Sequence, residues 1–81
     1  MVKIKEISKD IYRITSSRYP IYLRIRKGDI SLVQPTDKYN EVKFDEDKYF
    51  GKGYPKELII DNSEIVEILE MIKKLLLIER L

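Results

Sequence analysis

Basic and aromatic side chains alternate in the first third of the chain, and this combination could bind a polyanion. The cations would follow phosphates, while tyrosine rings would stack on bases of any sequence. Because single-strand binders need both features, the pattern favours single-stranded nucleic acid over duplex as the ligand. The residues that we predict to make this contact are Lys3, Lys5, Arg13, Arg18, Tyr22, Arg24 and Arg26.

Positive charge is concentrated in the same part of the chain. Residues 1–27 hold eight basic and two acidic residues, a net charge of +6, whereas residues 28–81 hold eight basic and twelve acidic residues, a net charge of −4. A local excess of positive charge favours phosphate binding even when the protein's net charge is only +2. Crowded Lys and Arg are also typical of hyperthermophile surfaces, so the asymmetry is equally consistent with a solvated face.

Other side chains that could do chemistry lack the partners that they need. With no Cys and no His, the chain has no thiol nucleophile, no histidine base for Ser16 or Ser17, and no ordinary zinc ligands. The acidic residues 45–47 lack the EF-hand spacing, and residues 51–53 lack the Walker pattern. We therefore expect no enzyme activity, no cofactor, no metal site and no small-molecule substrate.

Length and composition restrict the class of protein. A chain of 81 residues that is 43% hydrophobic is expected to form a single domain, residues 1–81. It contains no stretch of about 20 apolar residues and no secretory signal, which predicts a cytoplasmic protein without membrane contact. Few amides, no Cys and eleven Lys are typical of hyperthermophile proteins, which suggests an archaeon or an archaeal virus as the source.

Alternation along residues 21–26 gives this segment two distinct faces. Its apolar residues should face the core, while Tyr22, Arg24 and Arg26 should lie exposed on the opposite face. The three side chains could then contact a ligand without disturbing the fold.

Further segments complete a predicted antiparallel sheet of four to five strands within residues 2–60. A two-residue turn at Gly28 and Asp29 would pair Ile25 with Leu32. Residues 41–44 and 58–60 are expected to form short strands. A long polar loop over residues 45–56 would separate them.

One long helix is predicted over residues 62–80, where Asp61 and Glu64 match a capping box. At about 100° per residue, one apolar stripe would face the sheet: Ile65, Ile68, Leu69, Ile72, Leu75 and Leu76. Four more apolar residues lie outside this stripe: Val66, Met71, Leu77 and Ile78. Because so small a core supplies only about 3–5 kcal/mol, we expect these four to form a homodimer interface. The predicted fold class is α+β, a small antiparallel sheet with one C-terminal helix packed on one face.

The order of these segments resembles that of the positive-cofactor-four transcriptional coactivators. The resemblance rests on the run Tyr22-Leu-Arg-Ile-Arg26, the glycine turn at Gly28, the strand at residues 30–33, and a late strand at residues 58–60 that leads into the helix. It implies a four-stranded sheet with one helix, a dimer formed by paired helices, and single-stranded DNA bound on curved sheets. By position, it would give Arg24 and Arg26 the role of the basic strand residues.

Two functions from different classes follow from the sequence. The first is a protein that binds nucleic acid, single-stranded DNA above all, through a basic and aromatic sheet face on a helix-mediated dimer. The alternative is a small protein-interaction or regulatory module that acts through its apolar helix surface and binds no nucleic acid. An open face shared by Tyr22, Arg24, Arg26 and Arg13 or Arg18 favours the first function, and a covered face favours the second.

Overall fold

The computed structural model describes residues 2–36 and 44–79. This part of the chain contains four strands, two α-helices and one 3₁₀ helix. The strands are β1 (Lys3–Ser8), β2 (Ile11–Thr15), β3 (Ile21–Arg26) and β4 (Asp29–Val33), and they form one antiparallel sheet in the order β1-β2-β3-β4. They are followed by α1 (Glu46–Tyr49), a 3₁₀ helix (Asn62–Glu64) and α2 (Ile65–Glu79). The predicted α+β fold, an antiparallel sheet followed by a C-terminal helix, is confirmed.

One face of the sheet packs against α2 and forms the first core. The apolar residues of β3 belong to this core, as the alternation predicts: Ile21, Leu23 and Ile25. Neighbouring β2 contributes Tyr12, which lies opposite Leu23, and Ile14, which lies opposite Ile21. From α2, Ile68 packs against them and is only 2% exposed. Cross-strand apolar pairs on this face therefore form the surface that α2 covers.

The turn between β3 and β4 comes one residue earlier than predicted. Lys27 and Gly28 form it, and Gly28 has a φ of 77°, a value that glycine adopts without a steric penalty. Ile25 consequently lies opposite Ile30 and not opposite Leu32. The pairing shifts by two residues along the hairpin, so Val33 lies opposite Tyr22 rather than opposite Arg24, on the same face as predicted.

No strand forms at residues 58–60, so the described part of the chain holds four strands. The backbone N–H of Ile59 donates to Oε1 of buried Gln34 at 2.6 Å, and the Ile59 carbonyl accepts from Nε2 of the same side chain at 2.8 Å. A side-chain amide thus replaces the backbone of a neighbouring strand. The late strand that supports the resemblance to positive-cofactor-four coactivators is therefore absent. The strand predicted at residues 41–44 lies outside the described residues except for Phe44, which is not in a strand.

The predicted capping box does not form at the start of the C-terminal helix. The backbone carbonyl of Asp61 accepts a hydrogen bond from the Glu64 N–H at 2.9 Å, but the Asp61 side chain does not cap the helix. Both carboxylates instead accept hydrogen bonds from the loop between β2 and β3. Ser17 donates to Glu64 from its N–H at 3.2 Å and from its hydroxyl at 2.8 Å. The two acidic residues therefore attach the helix to the sheet.

The rotation of α2 about its axis also differs from the prediction. Leu69, predicted to face the sheet, is 59% exposed, whereas Ile68 is buried. Glu67, about 160° around the helix from Leu69, accepts a hydrogen bond from the Val2 N–H at 3.3 Å. Together with the bonds of Glu64 to Ser17, this contact turns α2 toward β1 and β2 and leaves the side of Leu69 uncovered. Within residues 2–36 and 44–79, no helix is long and apolar enough to cross a membrane.

Candidate interaction surfaces

Residues 44–54 cover the sheet face that the sequence predicts to be open. Tyr22 is completely buried, at 0% exposure, and forms a second core with Val33 and Tyr49. Four partly buried residues pack against this core: Ile7, Phe44, Phe50 and Tyr54. The prediction that Tyr22 lies exposed is therefore wrong, because the face opposite α2 has an apolar cover of its own.

Aromatic rings hold the covering segment in place. The Phe44 ring stacks on Tyr22, with centroids 4.1 Å apart and planes 21° apart, and it lies 5.2 Å from the Tyr49 ring. Asp45 caps α1 by accepting a hydrogen bond from the Lys48 N–H at 3.1 Å. Four aromatic residues within residues 44–54 were the sequence signal for this cover, one at the end of a predicted strand and three in the predicted polar loop: Phe44, Tyr49, Phe50 and Tyr54.

Arg24 and Arg26 lie on the covered face and are paired with Glu46. One carboxylate oxygen of Glu46 accepts from Nη1 of Arg24 at 3.3 Å and also from Nη2 of Arg26. The Arg24 guanidinium lies 4.7 Å from the centroid of the Phe50 ring, and only 17% of its side chain is exposed. Arg24 is thus enclosed by α1 and Phe50, contrary to the exposed position that the sequence predicts.

Acidic residues of the second part of the chain pair with three arginines of the basic first part: Arg18, Arg24 and Arg26. Arg18, the other predicted contact in this region, is exposed and forms a salt bridge with Asp61, with Nη1 and Oδ1 3.3 Å apart. Glu46 pairs with two arginines of β3 in the same way. Among residues 2–36 and 44–79, no three acidic side chains come together as a possible metal site. Asp45 and Glu46, from the acidic run, serve as a helix cap and an ion-pair partner.

Three of the predicted basic residues lie toward β1 on the same sheet face as Tyr22, and we name them the basic row: Lys3, Lys5 and Arg13. Lys5 lies directly opposite Arg13, and Lys3 lies two residues earlier in β1, so all three side chains are on one face of the sheet. Lys3 and Lys5 are exposed and Arg13 is partly exposed. Within the described part of the chain, neither lysine forms a salt bridge with an acidic side chain.

One side of α2 exposes three large apolar residues, which we name the apolar flank: Val66, Leu69 and Leu77. Their exposures are 70%, 59% and 58%. At about 100° per residue, Val66 and Leu77 lie within about 20° of each other around the helix, and Leu69 lies about 60° from Val66. The three side chains therefore form a stripe along the helix that no other described element covers.

The predicted dimer residues do not all lie on this flank. Met71 is partly buried and packs against the first core. Ile78 is 64% exposed but lies about 120° around the helix from Val66. The structure thus groups Val66 and Leu77 with Leu69, a residue that the sequence pattern placed in the core.

A groove of about 820 Å³ lies between the β3–β4 turn and the last turns of α2. Its apolar lining consists of Ile25, Ile30 and Leu76. Charged residues of both signs also line it: Asp10, Arg26, Lys27 and Asp29. This mixed lining points neither to an anion nor to a cation as ligand.

Comparison with known proteins leaves the function to be inferred from these surfaces. No protein-family model matches the chain. No curated protein and no solved structure is significantly similar to it.

Proposed function

We propose that this protein is a small interaction module that binds another protein through the apolar flank. The observation that supports the proposal is the exposure of Val66, Leu69 and Leu77 together on one side of α2. Amphipathic helices bind in the grooves of partners through anchor residues three or four positions apart, and Val66 and Leu69 are three positions apart. Complete burial of each side chain is worth roughly 1.5–3 kcal/mol, which gives a driving force for association.

The cover over the second core supports this function over nucleic-acid binding on the same sheet face. A base could stack on Tyr22 only if Phe44 moved away, and the Tyr49 ring packs against Phe44. Exposing these two aromatic rings would cost roughly 1.5–3 kcal/mol each. One stacked base would return only about 1–3 kcal/mol. The exchange therefore offers no net gain in free energy.

Selection of helical peptides from a displayed library tests whether the flank binds protein. The selected peptides are expected to be amphipathic and to lose about tenfold or more in affinity for the Leu69→Lys variant, because the lysine puts a charge inside the apolar contact. Tyr19→Lys is the control, since Tyr19 is 52% exposed in the loop between β2 and β3. If the selected peptides bind Leu69→Lys as tightly as the parent, the proposal is wrong.

A second candidate function is nucleic-acid binding by the basic row. Lys3 and Lys5 are both exposed, and within residues 2–36 and 44–79 neither lysine forms a salt bridge. Phosphate binding would give these two charges a use. Such binding depends on charge rather than on base stacking, so it predicts affinity for single strands and duplexes alike.

Titration with fluorescent oligonucleotides at several salt concentrations tests the second candidate. Two phosphate contacts on a single strand, from Lys3 and Lys5, predict a slope of log affinity against log salt of about −1.4. Lys5→Ala should make this slope shallower by about 0.7, because one contact is lost. Lys52→Ala, an exposed lysine of the covering segment, should leave the slope unchanged. If the parent protein binds neither a single-stranded nor a duplex oligonucleotide at low salt, this candidate function is excluded.

A further inference from the structure

We propose that the partner of the apolar flank is a second copy of this chain, with the two α2 helices antiparallel about a two-fold axis. In this arrangement Val66 of each copy contacts Leu77 of the other copy. The inference rests on the proposed function and adds to it the identity of the partner and the register of the contact.

The positions of Val66 and Leu77 satisfy the geometry of such a dimer. They lie on nearly the same side of α2 and are separated by eleven residues, or about 16 Å along the helix axis. A two-fold axis midway between them brings Val66 against Leu77 at both ends of the contact at once. A self-complementary surface of this kind is what a symmetric dimer requires.

Charged residues between these two positions match in the same register. Glu70 and Lys73 are both exposed and lie the same distance on either side of the midpoint, so Glu70 of one copy faces Lys73 of the other. The two-fold axis creates this pair twice. Within one copy, the described residues include no salt bridge to either side chain. Both charges are therefore available to a partner.

A parallel pair of α2 helices would have the opposite electrostatics. Glu70 would face Glu70 and Lys73 would face Lys73, which places like charges together. The helix dipoles would also point the same way, whereas antiparallel dipoles attract. The charge pattern of the exposed side thus selects the antiparallel arrangement.

Disulfide trapping tests the register, because the chain has no native cysteine. When Val66→Cys and Leu77→Cys variants are mixed and mildly oxidised, a cross-linked heterodimer is expected, since the two positions are in contact. Each variant oxidised alone should give little cross-linked product. Identical positions would be about 16 Å apart, beyond the roughly 7 Å between Cα atoms that a disulfide tolerates. Cross-linking of Val66→Cys to itself would instead indicate a parallel pair and overturn the proposal.

Charge exchange provides a second test that does not depend on cysteine. Glu70→Lys should weaken the dimer on the order of tenfold in sedimentation, and Glu70→Lys combined with Lys73→Glu should restore it. Both residues are exposed, so neither variant is expected to unfold. A double variant as weak as the single one would show that the register is wrong.

Sedimentation of the parent protein separates this inference from the proposed function. A parent that stays monomeric at high micromolar concentration overturns the homodimer. The peptide selection described above still decides whether the apolar flank binds protein, because a library peptide does not need a second copy of the chain. If the parent is a monomer and its apolar flank binds amphipathic peptides, the proposed interaction function stands and only the homodimer is excluded.

Discussion

Tyr22→Ala is expected to destabilise the protein by about 3–5 kcal/mol, the range for truncating a large buried aromatic side chain. Tyr22 has no exposed surface, stacks on Phe44 and lies opposite Val33 in the second core. Its removal leaves a cavity between the sheet and the covering segment. Small domains are stable by only about 5–15 kcal/mol, so the loss should be large in a urea unfolding curve followed by circular dichroism.

Tyr19→Ala is the matched control for this experiment. Tyr19 is the same residue type, precedes β3 by two positions and is 52% exposed. Its truncation should change the free energy of unfolding by less than about 0.5 kcal/mol. If Tyr22→Ala unfolds at the same urea concentration as the parent, residues 44–54 do not cover the sheet. An open basic and aromatic face would then again be the leading hypothesis for function.

The alternation of β3 was sufficient to divide its side chains between two faces but not to say what lies on each face. Ile21, Leu23 and Ile25 face α2 as predicted. The same period-two pattern places Tyr22 and Arg24 on the opposite face, yet it contains no information about a distant segment that packs there. The cover comes from residues more than twenty positions later in the chain. Their aromatic content was visible, but their pairing with β3 is a tertiary contact.

The uneven charge is equally consistent with a ligand site and with a solvated face, because the sequence does not show which charges meet within the chain. Arg18 meets Asp61, and Arg26 meets Glu46, across 43 and 20 positions. Both pairs join the basic first part to the acidic second part. Such exposed or half-exposed pairs contribute little stability individually, on the order of 0–1 kcal/mol each. They nevertheless neutralise the local potential on which phosphate binding depends.

The width of the apolar stripe on α2 was predictable from helical periodicity, but its rotation against the sheet was not. A helix with apolar residues over more than one side can turn by one residue position and still bury a stripe. Hydrogen bonds from Ser17 to Glu64 and from Val2 to Glu67 select one rotation. These bonds connect residues 47 and 65 positions apart, so no local pattern encodes them.

Two neighbouring truncations on α2 measure this rotation directly. Ile68→Ala should destabilise the protein by about 2–5 kcal/mol, because Ile68 is 2% exposed and packs in the first core. Leu69→Ala should cost less than about 0.5 kcal/mol, because Leu69 is 59% exposed. Both substitutions remove branched aliphatic groups from adjacent positions of one helix, so differences in helix propensity are minor. Urea unfolding at low micromolar concentration gives both values.

Protein concentration distinguishes the two roles that an apolar residue of α2 can have. A residue of the first core stabilises the monomer, so the cost of Ile68→Ala should be the same at every concentration. A residue of the dimer contact stabilises only the associated state, so the cost of Leu77→Ala should grow as the concentration rises, by mass action. Equal costs for Ile68→Ala and Leu69→Ala at low concentration would mean that α2 is rotated to bury Leu69. The apolar flank would then lose one of its three members, and the proposed interaction surface with it.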